Sequence, residues 1–209
     1  MRHFLLLSLV LCSLAVAAQT PLSLVEVEKS WEADHRWTEL NEVDGRFRVL
    51  APAELTHKTD TLTTDVGEQV FHTFFLQAPD KDRAENIIYA LSYVDYPDGA
   101  IHHDSLELVT ELLASTEEET ERAVGGKVIY SAPKQIGFQP ARQWRIDYPS
   151  KGGTASARTL AGVVDNRYYE LKVFSLRAAG VNDSADRFFD SFRVFARKRP
   201  SAKANGKGQ

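Results

Sequence analysis

Residues 86–95 constrain the fold most. In this run Ile87, Tyr89, Leu91 and Tyr93 fall on one face of an extended chain, and Ile88, Ala90 and Val94 fall on the other. Side chains alternate across a strand with a period of two. A strand that is apolar on both faces must be covered on both. The segment therefore belongs in the middle of a sheet, and three layers are expected.

The surrounding pattern is consistent with that placement. After a turn at Gly45, Arg46-Phe47-Arg48-Val49-Leu50 alternates and stops before Pro52, as the restriction on the residue before proline requires. Residues 54–64 and 68–77 flank Asp65-Val66-Gly67 and read as a hairpin. Its Thr-rich first arm is expected to be exposed, and its second, with Val70, Phe71, Phe74, Phe75 and Leu76, buried. The chain breaks at Tyr96-Pro97-Asp98-Gly99. The longest helix is expected near Asp104, read as an N-cap with Glu107 three residues on. Leu106, Val109, Leu112, Leu113 and Thr116 form its apolar face, and Gly125-Gly126 ends it. Four strand-like segments follow, 127–136, 141–148, 154–164 and 167–177, and their short turns make an antiparallel meander. In the last of them Tyr169, Leu171 and Val173 share a face. A helix capped at Asn182-Asp183-Ser184 then presents Ala185, Phe188, Phe189 and Phe192, an aromatic stripe that needs a sheet beneath it. The expected fold class is α+β: an antiparallel sheet of about six to eight strands flanked by helices, in an α/β/α sandwich.

The ends read differently from the body. Arg2 and His3, the apolar run 4–16 and Ala15-Val16-Ala17 form a signal peptide over residues 1–17, with a lead-in at 18–36 and the domain proper at 37–195. The sole cysteine, Cys12, lies in that leader, so the mature chain is expected to lack thiol chemistry and disulfides. After Phe195 come five basic residues and no acid, a tail expected to be disordered over 196–209. Removing those five and Arg2 from the 25 bases leaves 19 against 29 acids, so residues 18–195 carry a net charge of -10. An acidic body excludes nucleic acid as the expected partner. No further apolar run is long enough to span a bilayer.

The densest group of potential ligands is Asp95, Asp98, His102, His103 and Asp104. Imidazoles and carboxylates gathered in this way can hold a divalent transition metal or place a general base. The bland reading is that Asp104 caps the helix while Asp95 and Asp98 serve the turn at Pro97. Asp95, Asp98, His102 and His103 stand as candidate ligand-binding residues, with no metal or other cofactor assigned. His57 and His72 are expected to meet across the hairpin. Glu117-Glu118-Glu119 with Glu121 reads as a solvated helix face. No Gly-x-Ser-x-Gly elbow occurs, and Gly125-Gly126-Lys127 lacks the rest of a phosphate loop.

The order of several strings carries a resemblance: Phe47-Arg48-Val49-Leu50-Ala51-Pro52, Tyr93-Val94-Asp95-Tyr96-Pro97, Gly125-Gly126-Lys127, Arg142-Gln143-Trp144-Arg145-Ile146, Asn166-Arg167-Tyr168-Tyr169 and Phe188-Phe189-Asp190-Ser191-Phe192. Together they resemble a group of exported bacterial domains whose fold is similar to the PsbP and DcrB families. The resemblance spans about residues 37–195. It implies an antiparallel sheet between helices and a non-enzymatic accessory role, and it supplies no catalytic residues. The expected function is a secreted or periplasmic binding or assembly module whose partner is an unidentified protein or envelope component. Two alternatives stand beside it. One is a metal protein or enzyme built on His102 and His103, and the other is a carrier of an apolar ligand between sheet and helix.

Overall fold

The computed structural model describes residues 29–64, 66–176 and 182–195. The expected leader at 1–17, the first part of the expected lead-in and the basic stretch 196–209 lie outside the described residues. After a short helix α1 (Trp31–Asp34) come β1 (Thr38–Glu42), β2 (Phe47–Ala51), β3 (Thr56–Thr64), β4 (Gly67–Gln77) and β5 (Ile88–Asp95). They are followed by α2 (Leu106–Val124), β6 (Lys127–Ile136), β7 (Gln139–Ser150), β8 (Gly153–Val164), β9 (Arg167–Ser175), α3 (Asp183–Ser191) and β10 (Arg193–Val194).

Seven strands form the main sheet in the order β3-β4-β5-β9-β8-β7-β6, and every pairing is antiparallel. The meander β6 to β9 turns back so that β9 docks on β5, placing the doubly apolar strand in the interior of the sheet. Val94 and Tyr168 pack with Val109 and Leu113 of α2 on one side. On the other side Tyr89, Leu91, Tyr93, Tyr169 and Leu171 meet Phe47, Phe188 and Phe192. The three layers are therefore α2, the seven-stranded sheet, and a shell that combines α3 with a second sheet, β1-β2-β10. The α+β expectation holds, and the second sheet is the addition: β2 leaves the main sheet and becomes part of its cover.

Several local readings change. The N-cap of α2 is Ser105 rather than Asp104, and it makes no side-chain cap bond. Leu106 lies off the buried face and is exposed, whereas Val109 and Leu113 pack on the sheet. Val70 is exposed too, because the β3–β4 hairpin runs past the end of β5, whose last pair with β4 is His72 with Tyr93. Glu117 is buried and turned inward, accepting from Ser131 Oγ at 2.8 Å and Arg142 Nη1 at 3.1 Å, while Glu121 accepts from the Val128 N–H at 2.9 Å. The acid run is thus part anchor, not simply a solvated face. Gly125, at φ +61°, closes α2 in the left-handed region. Gly126 passes so close to β7 that a Cβ there would lie 2.5 Å from Ile146 Cγ2.

Candidate functional site

The β1–β2 turn, the β5–α2 loop and the β8–β9 turn meet at one end of the main sheet, where their polar groups interlock. Asp95, the last residue of β5, pairs across the register with Arg167, the first of β9. Arg167 Nε donates to Asp95 Oδ1 at 2.6 Å and Nη2 to Oδ2 at 2.5 Å, a two-pronged contact. The third arm, Nη1, donates to the Asp44 carbonyl at 2.6 Å, and the guanidinium lies 4.4 Å above the Tyr93 ring. Partial burial alone would raise the Asp95 pKa, but the Arg167 hydrogen bonds and charge outweigh it and hold the carboxyl below its ordinary value. Burial pushes the Tyr93 hydroxyl up to about 12.

His103 is clamped to the β8–β9 turn at two points. Its backbone N–H donates to the Asp165 carbonyl at 2.8 Å, and its Nδ1 accepts from the Asp165 N–H at 2.8 Å. The neutral ring therefore carries its proton on Nε2, which lies 3.2 Å from Asp104 Oδ1. The His102 ring packs on His103 with centroids 4.1 Å apart, and its Nδ1 is 3.3 Å from Asp104 Oδ2. Asp165, in the left-handed region at φ 57°, accepts from Arg46 Nη1 at 2.6 Å.

The structure thus gathers His102, His103 and Asp104 but separates Asp95 and Asp98 from them. Asp95 is turned to Arg167, and Asp98 stays exposed in its turn. The third potential ligand is Asp165, from 62 residues along the chain; ligand atoms of His102, His103 and Asp165 all lie within 4.8 Å of one another. The sequence marks Asp165-Asn166 only as a turn, so nothing local points to this meeting. The donors are also partly engaged, His103 Nδ1 by a backbone N–H and Asp165 by the Arg46 guanidinium. A cation would have to share Asp165 with that fixed positive charge.

His57 lies in β3 and His72 in the neighbouring β4. They are diagonal rather than directly paired, since His57 is opposite Phe74 and His72 opposite Thr59. Their rings stack, with His57 Nε2 3.3 Å from His72 Nδ1, and His72 stacks in turn on Tyr93 at 4.5 Å. Burial, then the nearby His57 and Arg167 charges, lower the His72 pKa below its usual 6.5.

A second feature lies beside α3. A cleft of about 510 Å³ opens between that helix and the β6–β7 hairpin. Ile136, Leu160, Phe189 and Phe192 supply its apolar surface, and Lys134, Gln143, Asp190 and Arg193 its polar groups. The carrier alternative, an apolar ligand held between sheet and helix, draws on Phe189 and Phe192, which line the cleft and, like Phe74 and Phe188, also belong to the buried core. Its residues come from β6, β7, β8, α3 and the start of β10, which is why no single motif announces it.

Comparison with known proteins identifies the fold. The solution structure of the cyanobacterial PsbP of Synechocystis superposes with a TM-score of 0.52 at 9% identity, over 76% of this chain and 92% of that one. A crystal structure from Bacteroides thetaiotaomicron gives a TM-score of 0.46 at 10% identity, over 74% of this chain and 47% of that one. A protein of unknown function from Pseudomonas aeruginosa gives 0.35 at 12% identity, over 68% and 85%. No family model matches the sequence, and no curated protein does either. The chain has the PsbP-like α+β fold, and at these identities the likeness concerns the fold alone. Among the described residues no helix is long and apolar enough to cross a membrane.

Proposed function

We infer that this chain is a non-catalytic binding or assembly module, exported from the cytoplasm, whose ligand or partner group seats in the cleft beside α3. The observation that carries this reading is the contrast between two places. In the loop cluster the imidazoles and carboxylates are turned to each other, to backbone groups and to arginines. In the cleft, apolar rings and polar side chains line about 510 Å³ of open space, the combination typical of ligand sites. The leader at 1–17 supports export, and the partner class is a protein or envelope component. The test is extraction of the native protein followed by mass spectrometry for bound metal, lipid and co-purifying protein, beside a Leu160→Trp variant that fills the cleft. A molecule retained by the wild type and lost from the variant is expected. Wild type that is bare in every fraction counts against the reading.

One observation favours a second reading, a divalent transition metal held by His102, His103 and Asp165, whose ligand atoms lie within 4.8 Å of one another. The same mass spectra test it, because stoichiometric metal would be present in the wild type and absent from His102→Ala.

A further inference from the structure

We propose that β3 is a self-complementary edge through which two copies of this chain pair about a two-fold axis at Thr59. All nine residues of β3 are exposed, so this edge of the main sheet lies open along its length. The other edge, β6, carries Pro133 and a register shift between Val128 and Tyr130, both of which obstruct strand addition. An assembly through β3 therefore closes at two copies.

The turn determines which backbone groups are free. Thr64 pairs with Gly67 across a two-residue loop, which leaves no room for a hydrogen-bonded pair beyond it, so these two residues exchange both bonds. Hydrogen-bonded and non-hydrogen-bonded pairs alternate along an antiparallel ladder. Leu62, Asp60, Lys58 and Thr56 therefore turn their N–H and C=O groups toward β4. Thr63, Thr61, Thr59 and His57 turn theirs outward.

Side chains then select the register. Lys58 Nζ and Asp60 Oδ1 lie 2.9 Å apart within one chain, both exposed by about half or more. In an antiparallel pairing centred on Thr59, Lys58 of each copy faces Asp60 of the other. Both ion pairs can then form between chains, in the closer, non-hydrogen-bonded positions. The same register sets Leu62, 52% exposed, against the methyl-bearing Thr56 of the second copy. Centring on Lys58 or on Asp60 brings like charges face to face. Centring on His57 opposes Asp60 to Glu54, and centring on Thr61 opposes Lys58 to Thr64 and Asp60 to Leu62. Only the Thr59 axis satisfies both charges and uses the outward backbone groups at its centre. Lysine on an exposed edge normally discourages pairing; here it has a partner two residues away on the second copy.

The test is sedimentation equilibrium of the full mature chain at low salt. A concentration-dependent dimer is expected for the wild type. Lys58→Asp and Asp60→Lys should each weaken it by roughly tenfold or more, since each change creates like-charge pairs. The double swap Lys58→Asp with Asp60→Lys should restore it. Thr59→Pro should give a monomer with unchanged circular dichroism, because the N–H it deletes points away from β4. A wild type that remains monomeric at millimolar concentration, or a dimer indifferent to Thr59→Pro and to both single reversals, would overturn the proposal.

Discussion

Two residues show how much a single position can carry. Gly126 is needed for space rather than for backbone freedom: its Cβ would meet Ile146 Cγ2 at 2.5 Å and the Asp147 carbonyl at 2.7 Å, and backbone cannot yield as a side-chain tip can. We expect Gly126→Ala to cost about 1 to 3 kcal/mol through overpacking. Gly152→Ala, which would meet nothing within 4 Å, should leave chemical unfolding essentially unchanged, and equal midpoints for the two variants would refute the close-approach reading. His72 carries a pH dependence whose sign is fixed. Its folded pKa lies below the ordinary 6.5, so the unfolded chain binds more protons and stability falls as pH drops through that value. Unfolding midpoints measured from pH 7.5 to 5 should decline, and His72→Phe should flatten the decline.

At the scale of elements, the final helix is a clasp. Phe188 is fully buried against Tyr89, and Phe192 contacts Phe47 and Tyr169. Ser191 Oγ donates to the Phe188 carbonyl and accepts from the Leu50 N–H, tying α3 to β2. Phe192→Ala should cost about 3 to 5 kcal/mol, read by thermal or denaturant unfolding, and an unchanged midpoint would remove the clasp role. This helix was legible in the sequence because its aromatic stripe and Asn182 cap are local signals, and Asn182 Oδ1 does accept from the Ala185 N–H. The doubly apolar β5 was legible for the same reason. By contrast, Thr38–Glu42 has no apolar alternation and β10 has only two residues, so the second sheet exists through its partners alone. Glu117 was an available signal: Val109, Leu113 and Glu117 follow one another at four-residue steps on the face that packs on the sheet. The acids beside it obscured that register. The candidate site was half legible, since His102 and His103 are adjacent in the chain while Asp165 and Arg46 reach them only through the fold.

For the molecule as a whole, polar clasps at the two ends of the main sheet join it to what covers it. At one end buried Glu32 of α1 accepts from the N–H groups of Glu85 and Asn86 at 3.0 and 2.9 Å and from the Tyr89 hydroxyl at 3.1 Å. Asn86 continues the network to Ser175 and Asn182, so the segment before β1, the entry to β5, the exit of β9 and the start of α3 share one set of bonds. Removing one member leaves buried donors unpaired, at about 1 to 3 kcal/mol each. Glu32→Ala should therefore destabilise the entire domain, and amide exchange should accelerate along β5 and α3 rather than in α1 alone. At the other end Arg167 bridges the two sheets through Asp95 and the Asp44 carbonyl, and Tyr169 Oη donates to the Gly45 carbonyl at 2.8 Å. Because this pairing depresses the Asp95 pKa, its contribution is complete above the ordinary carboxylate range and is lost as pH falls through the lower folded value. Asp95 is half exposed, so solvent screens part of that contribution. Arg167→Met removes the guanidinium's contacts with Asp95 and the Asp44 carbonyl and leaves the Tyr169–Gly45 bond in place. We expect faster amide exchange across β1 and β2, with β7 and β8 protected as before, and in Asp95→Asn a shallower loss of stability below about pH 4. Uniform acceleration across every strand in Arg167→Met would mean that Arg167 holds the whole domain rather than the second sheet in particular.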